Sequence, residues 1–204
     1  MIITLSSKKG GTGKTYAAVF LAQALSQYGS VQVLDADPQA TATNWALIAE
    51  DEDWPLEFEV VPANVSTIKR LRKSQPTDHV LIDTPPGHPD IIKAANDVAD
   101  VVIIPTGTSK TDLLQVWELV EQLEGKPHVV LLSKVNPRTR LYKAAVASLE
   151  AAAVPLFSTD IAERESIKAA YGTGLGGQPL HGYNEVLQEL VGALGMTLTK
   201  KENA

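Results

Sequence analysis

The chain has 204 residues, of which 44% are hydrophobic and 21% charged, and its net charge is −6. These values predict one domain over residues 1–204 with a sizeable core, and we expect residues 197–204 to form a flexible tail. The chain has no cysteine, which excludes iron–sulfur and metal–thiolate centres and agrees with a cytoplasmic location. No apolar run approaches the roughly 20 residues that a membrane-spanning helix needs, and the N-terminus does not resemble a signal peptide.

Strand-like apolar runs alternate with helix-like runs along the chain. Helices are predicted at 14–28, 39–49, 64–74, 89–97, 111–124, 139–152, 161–171 and 184–194. Strands are predicted at 2–6, 31–35, 57–62, 79–83, 100–105, 128–133 and 154–157. This alternation predicts a doubly wound α/β fold, with a mainly parallel sheet and helices on both faces. Ligands of such sheets bind outside the carboxyl ends of the strands.

A glycine-rich loop, K-G-G-T-G-K-T, joins the first strand to the first helix. Its glycines let backbone N–H groups surround phosphates at a helix N-terminus, where the helix dipole also favours negative charge. Lys14 supplies charge for the β- and γ-phosphates, and the Thr15 hydroxyl is suited to Mg²⁺. The order strand, loop, helix predicts a P-loop NTPase. The predicted nucleotide-binding residues of this region are Lys9, Gly10, Gly11, Thr12, Gly13, Lys14, Thr15 and Tyr16.

Carboxylates follow two later strands. The second strand ends in Asp35 and is followed by Asp37, in the pattern D-A-D-P-Q, and an Asp-Pro turn is the simplest structural explanation of that pattern taken alone. The fourth strand ends in Asp83, before the run T-P-P-G. An apolar strand ending in Asp is the Walker B arrangement, which predicts that Asp83 binds Mg²⁺ together with Thr15.

These three motifs together resemble those of the ParA/MinD family of ATPases, which have a deviant Walker A loop. Lys8 stands where an ordinary P-loop has its first glycine, and Lys9 directly precedes the glycine pair. The resemblance implies that Lys9 reaches the nucleotide of a second subunit in an ATP-dependent homodimer. It also implies that Asp37 positions the attacking water, so that Lys9, Lys14 and Asp37 are the expected catalytic residues, with ATP/ADP and Mg²⁺ as ligands.

The adenine base has a candidate ligand at the end of the sixth strand. The sequence S-K-V-N lies there, and Asn136 occupies the position at which related GTPases place an Asp that recognises guanine. An amide both donates and accepts hydrogen bonds, which favours adenine over guanine. An Asn-Pro turn explains the same residues equally well. The glycine-rich segment 172–177 is expected to be a flexible connector that borders the base.

Basic residues are unevenly distributed. No Lys or Arg lies between Thr15 and Ile68, whereas residues 69–73 contain four basic side chains. In ParA-type proteins a basic surface of the C-terminal half binds nonspecific DNA. That resemblance favours a second set over the 69–73 cluster, although a solvated helix face explains either group. The predicted DNA-binding residues are Arg138, Arg140, Arg164 and Lys168.

The resemblance therefore implies a short ParA-like partition ATPase without an N-terminal DNA-reading domain, associated with the nucleoid when ATP-bound. A ParB-like partner protein would stimulate hydrolysis, and the cargo would be a plasmid, a chromosome or a protein assembly. One alternative is a MinD-like regulator at the membrane surface. The charges of the last helical run, Glu185 and Glu189, argue against that alternative and favour a helix packed on the sheet. Another alternative is a metabolic P-loop enzyme similar to dethiobiotin synthetase.

Overall fold

The computed structural model describes residues 1–201. Its strands are β1 (Ile2–Leu5), β2 (Val31–Asp35), β3 (Glu59–Pro62), β4 (His79–Asp83), β5 (Val101–Thr106), β6 (His128–Val135) and β7 (Ile161–Ala162). Its helices are α1 (Lys14–Ser26), α2 (Thr41–Asp51), α3 (Val65–Arg70), α4 (Pro89–Val98), α5 (Lys110–Gln122), α6 (Arg140–Ala151), α7 (Glu165–Ala169) and α8 (Tyr183–Ala193).

The strands form one parallel sheet in the order β3-β2-β4-β1-β5-β6-β7. The chain order reverses on either side of β1, so the carboxyl ends of β1, β2 and β4 meet at a topological switch point. The loop after β1, the acidic motif after β2 and the carboxylate at the end of β4 therefore converge. The doubly wound α/β fold predicted from the sequence is confirmed.

Both faces of the sheet are covered by apolar helices. One core cluster joins α1, α2 and α8 to residues such as Ile3 and Leu81 of the central strands. The opposite face is covered by α3 and α4 at one end and by α5 and α6 at the other. The apolar residues of α8 are buried in the first cluster, as the sequence predicts for a helix packed on the sheet.

The prediction was wrong at the sheet edge after α6. Residues 154–157 form only an isolated bridge from Leu156 to Val130, because Pro155 has no N–H with which to extend a ladder. The seventh strand is Ile161–Ala162, inside the predicted helix 161–171. Pairing with β6 fixes these two residues as extended, so the helix that remains is the short α7.

Smaller differences concern helix ends. The helix predicted at 64–74 ends at Arg70, and like charges at Lys69, Arg72 and Lys73, three to four residues apart, disfavour its continuation. Of the expected tail 197–204, residues 202–204 lie outside the described part. Within the described part, Leu198 packs against the core and the N–H of Lys201 donates to the carbonyl of Gln27.

Candidate functional site

The loop between β1 and α1 leaves a helix N-terminus open to an anion. Gly13 is the residue before α1 and has φ 94°, and no side chain among the described residues caps the helix there. A Cβ at Gly13 would lie 2.9 Å from the Ser133 hydroxyl, so the close approach of loop and β6 also requires glycine. The Lys14 Nζ donates to the Lys9 carbonyl at 3.0 Å, which folds its ammonium group back over the loop. Free N–H groups, the helix dipole and this ammonium together form a site for phosphates.

Thr15 and Asp83 lie together beneath the loop. The Thr15 hydroxyl donates to one oxygen of Asp83 at 2.6 Å. The other oxygen, Oδ1, is buried and has no hydrogen-bond partner among residues 1–201. Burial raises the pKa of Asp83 to about 7, although the hydrogen bond from Thr15 opposes the change. A carboxylate oxygen without a partner beside a hydroxyl is a donor pair that suits Mg²⁺, so these residues fit the predicted metal site.

Lys14 is buried near the same carboxylate. Burial lowers the pKa of its ammonium group, while the charges of Asp83 and Asp37 oppose that change. A buried cation of this kind gains most from a ligand that carries several negative charges.

The two carboxylates after β2 have different surroundings. Asp35 accepts hydrogen bonds from the Thr43 N–H and hydroxyl, each at 2.8 Å, and from the Asp37 N–H at 3.2 Å. It thereby fixes the first turn of α2. Asp37 is half-buried, and its Oδ1 accepts the Gln39 N–H at 2.9 Å. Asp37 therefore keeps one carboxylate oxygen free of protein hydrogen bonds within the described residues.

Lys9 is held by the start of α5. Its Nζ lies 2.6 Å from Oδ1 of Asp112, while Oδ2 of Asp112 accepts the N–H and hydroxyl of Ser109 in a capping box. Burial opposes ionisation of Asp112, but the hydrogen bonds from Lys9 and Ser109 prevail and lower its pKa. Lys8 pairs with Glu118 of the same helix at 3.1 Å. Asp112 is a site residue that was not predicted from the sequence, although the S-x-x-D pattern marks the cap of α5.

A cleft of about 200 Å³ opens beside Gly13. Its lining includes Tyr16, Ser133 and Lys134, together with residues 161–164, 167 and 168. Lys134 has φ 57°, and its Nζ donates to the Gly11 carbonyl at 2.8 Å, which ties the end of β6 to the loop. The cleft adjoins the phosphate loop and is lined partly by Ile161, Ile167 and Tyr183, as a site for a flat base requires.

Asn136, the predicted base ligand, lies outside the lining of this cleft. Its Oδ1 accepts the N–H of Arg138 at 3.1 Å, as in the Asn-Pro turn that was the alternative expectation for these residues. The glycine-rich segment 172–177, expected to be a flexible connector, is held by contacts with two tryptophans. The Trp45 indole donates to the Thr173 carbonyl at 2.9 Å, and Trp54 packs against Gly174.

The four predicted DNA-binding residues form two groups. Arg138 and Arg140 are exposed at the start of α6 and form no ion pair within residues 1–201. Arg164 precedes α7 and, with Lys168, lines the cleft beside Gly13. Lys168 pairs with Glu163 at 3.0 Å and with Glu165 at 3.4 Å, so its charge is largely balanced. In the part of the chain that the structure describes, no helix is long and apolar enough to cross a membrane.

The parallel sheet, the phosphate loop at its switch point and the Thr15–Asp83 pair define a P-loop nucleotide-binding protein. The family model of the CobQ/CobB/MinD/ParA nucleotide binding domain matches residues 3–176. The chain belongs to this family.

Two relatives carry the name maintenance of carboxysome distribution protein A. The chain is 35% identical to the protein of Gloeobacter kilaueensis over 68% of its own length, and this match spans 65% of the relative. It is 25% identical to that of Halothiobacillus neapolitanus, over 85% of this chain and 84% of the relative.

Two solved structures show the same fold. The putative plasmid partition protein of Borrelia burgdorferi B31 bound to AMPPNP has a TM-score of 0.74 and 19% identity, covering 94% of this chain and 98% of its own. A single-residue variant of Cyanothece McdA in complex with ATP has a TM-score of 0.74 and 21% identity, covering 98% of both chains.

Proposed function

We propose that this protein is a ParA-like partition ATPase that binds Mg-ATP, dimerises and positions a cargo by ATP-dependent binding to nonspecific DNA. The observation that carries the proposal is the convergence of the phosphate loop, the Thr15–Asp83 pair and Lys9 at the carboxyl ends of the central strands. The names of the relatives favour a plasmid or a large protein assembly as cargo.

The residues of the site have separate roles in hydrolysis. The loop N–H groups and Lys14 stabilise the negative charge that builds on the phosphates. Thr15 and Asp83 would hold Mg²⁺, which would supply further neutralisation of phosphate charge. Asp37 orients the attacking water with its free carboxylate oxygen. The cleft lined by Tyr16 and Lys134 takes the base.

Lys9 links hydrolysis to dimerisation. Its side chain is 46% exposed on the loop and is held by Asp112 in the same chain. Release from Asp112 would let Lys9 add its charge to the phosphates of a second subunit. Two basic surfaces brought together in one dimer contact more DNA phosphates than a monomer does, so dimerisation raises DNA affinity.

The test compares wild type with Lys9→Ala and Lys14→Ala. Fluorescence anisotropy measures binding of a random-sequence DNA duplex with Mg-ATP and then Mg-ADP, and light scattering measures the oligomeric state. Wild type should dimerise and bind DNA only with ATP. Lys14→Ala should lose nucleotide affinity, whereas Lys9→Ala should keep it and lose both dimerisation and hydrolysis. Equal DNA binding with ATP and ADP, or an active Lys9→Ala monomer, would contradict the proposal.

A further inference from the structure

A buried tryptophan, Trp45, lies one side chain away from the cleft beside Gly13. It belongs to α2, and its side chain is fully buried. Its ring meets the ring of Tyr16 edge to face, with the centroids 5.2 Å apart and the planes at 64°. Tyr16 lines the cleft and directly follows Thr15 of the phosphate loop. Trp45 therefore supports the tyrosine wall of the cleft from behind.

The same tryptophan also contacts the segment that follows α7. This helix contributes Lys168 to the lining of the cleft, and the chain then continues to Tyr171 and Thr173. The Trp45 ring lies 5.5 Å from the Tyr171 ring, and its indole N–H donates to the Thr173 carbonyl at 2.9 Å. Burial raises the pKa of Tyr16, the nearby Tyr171 raises it further, and Lys168 opposes the change. Trp45 thus joins two parts of the chain that line the cleft.

Helix α2, which carries Trp45, begins from the segment 37–43 (the Asp37 turn). The residue before the helix, Ala40, has φ 52°, a left-handed conformation that is unfavourable for alanine. Alanine has no polar atom with which to cap the helix, and only the bonds from Thr43 to Asp35 fasten the first turn from the side. A strained start of this kind depends on the packing of the rest of the helix for its order.

A base that fills the cleft restricts Tyr16, and Trp45 has no free space into which to yield. The Phe20 ring lies 6.2 Å from the Trp45 ring at 78°, so three aromatic rings, those of Tyr16, Phe20 and Tyr171, surround the indole. Close-packed interiors transmit a displacement instead of absorbing it. Restriction of Tyr16 is therefore passed through Trp45 to α2 and to the strained turn from which that helix starts.

We propose that Trp45 is a positioning residue that transmits occupancy of the base cleft to the Asp37 turn. A bound base holds Tyr16, Tyr16 holds Trp45, and α2 then holds the Asp37 carboxylate in one position. The inference rests on the proposed binding of the base in this cleft and on the proposed role of Asp37, but its test uses ADP and requires no hydrolysis.

The test is hydrogen exchange of the full chain, measured by mass spectrometry on the free protein and with saturating Mg-ADP or Mg-pyrophosphate. Pyrophosphate supplies the same two phosphate groups without the base. Trp45→Leu removes the aromatic link, and Trp45→Phe keeps an aromatic ring at the same place. Tyr171→Leu gives the indole room to move and changes a residue that is already 36% exposed, so it decides the test if Trp45→Leu fails to fold. Tyr28→Leu is the matched control, because it changes a partly buried tyrosine beyond the far end of α1. Circular dichroism checks the fold of each variant.

In wild type, Mg-ADP should slow exchange in the phosphate loop, residues 8–15, and should slow it about five-fold in the Asp37 turn. Mg-pyrophosphate should slow exchange in the loop alone. Trp45→Leu should keep the protection of the loop and lose that of the Asp37 turn, and Tyr171→Leu should reduce the latter. Trp45→Phe and Tyr28→Leu should retain both.

Equal protection of the Asp37 turn by ADP and pyrophosphate would overturn the proposal. So would equal protection by ADP in wild type, Trp45→Leu and Tyr171→Leu, or protection by ADP of the loop alone. Failure of the proposed function gives a different result. Protection of the Asp37 turn by ADP in a protein that hydrolyses no ATP would leave this inference standing and contradict the ATPase, whereas ADP protection of neither segment would overturn both.

Discussion

Asp83 combines a proposed role in Mg²⁺ binding with a cost to folding. Its pKa in the folded protein is about 7, above the ordinary value of 3.8. As pH rises from about 4 to about 7, the unfolded chain loses this proton before the folded chain does, so stability falls over that range. Above about pH 7 the whole cost of burying the charge is present.

Asp83→Asn should therefore stabilise the protein in EDTA at pH 8 by about 1–3 kcal/mol while weakening Mg-ATP binding. Urea denaturation at pH 5 and pH 8 measures the first effect, and nucleotide titration with Mg²⁺ measures the second. The gain should shrink at pH 5. If Asp83→Asn were less stable than wild type at pH 8, burial of the ionised Asp83 carboxylate would not destabilise the folded protein.

The ion pair between Lys9 and Asp112 should affect both stability at low pH and ATP-dependent dimerisation. The low pKa of Asp112 means that the pair contributes stability above the ordinary carboxyl pKa and loses it as pH falls through the lowered value. Asp112→Asn should release Lys9 and lower the ATP concentration needed for dimerisation roughly five-fold, since such a pair is worth about 1 kcal/mol.

Light scattering over an ATP titration measures this change. Ser109→Ala is the control, because it removes the cap of α5 but leaves the carboxylate that holds Lys9. Weaker dimerisation of Asp112→Asn would instead mean that Asp112 acts across the subunit interface.

Among the elements, the glycine-rich segment 172–177 is packed more closely than its composition suggests. A Cβ at Gly174 would lie 2.4 Å from the Trp54 ring and 2.5 Å from its carbonyl oxygen. Gly192 in α8 is exposed, and a Cβ there would meet nothing within 4 Å.

Gly174→Ala should therefore destabilise the protein by about 1–3 kcal/mol, as overpacking does. Gly192→Ala should stabilise it by about 0.5 kcal/mol, because alanine is the better helix former. Thermal unfolding of the two variants beside wild type measures both effects. Equal stability of Gly174→Ala and wild type would show that the segment moves away from Trp54 at little cost.

Helix α8 carries a charged residue, Glu189, whose hydrogen-bond partners lie within the protein. The sequence placed Glu189 on a polar face, but its carboxylate accepts hydrogen bonds from the Ser158 N–H at 2.7 Å and the Thr159 N–H at 2.8 Å. It fixes the turn that leads into β7. Its partners lie 30 and 31 residues away, so no local pattern could have shown the interaction.

For the whole molecule, the proposed DNA surface gives a prediction about salt. Arg138 and Arg140 are exposed without ion pairs in the described chain, whereas Lys168 is balanced by Glu163 and Glu165. Arg138→Ala/Arg140→Ala should weaken DNA binding by the ATP form. It should also reduce the slope of log affinity against log salt by about one unit for each DNA phosphate that the variant no longer neutralises.

Anisotropy at several salt concentrations measures that slope. Lys69→Ala/Lys73→Ala removes the same charge from the other basic cluster and should leave the slope unchanged, and Lys168→Ala should have a small effect. A larger loss of affinity in the Lys69→Ala/Lys73→Ala variant would mean that DNA binds at the 69–73 cluster instead.

The sequence by itself determined the alternation of strands and helices and the three motifs at strand ends, because periodicity, glycine and carboxylate positions are local. Strand pairing and side-chain partners depend on contacts between distant residues. Only the tertiary structure therefore decided that Ile161–Ala162 is a strand, that Asp112 holds Lys9, and that Asn136 closes a turn outside the cleft beside Gly13. Asp83 is buried whereas Asp37 is only half-buried, and this difference gives the two carboxylates different chemistry. Burial depends on how the whole molecule packs, so no single segment of sequence could show it.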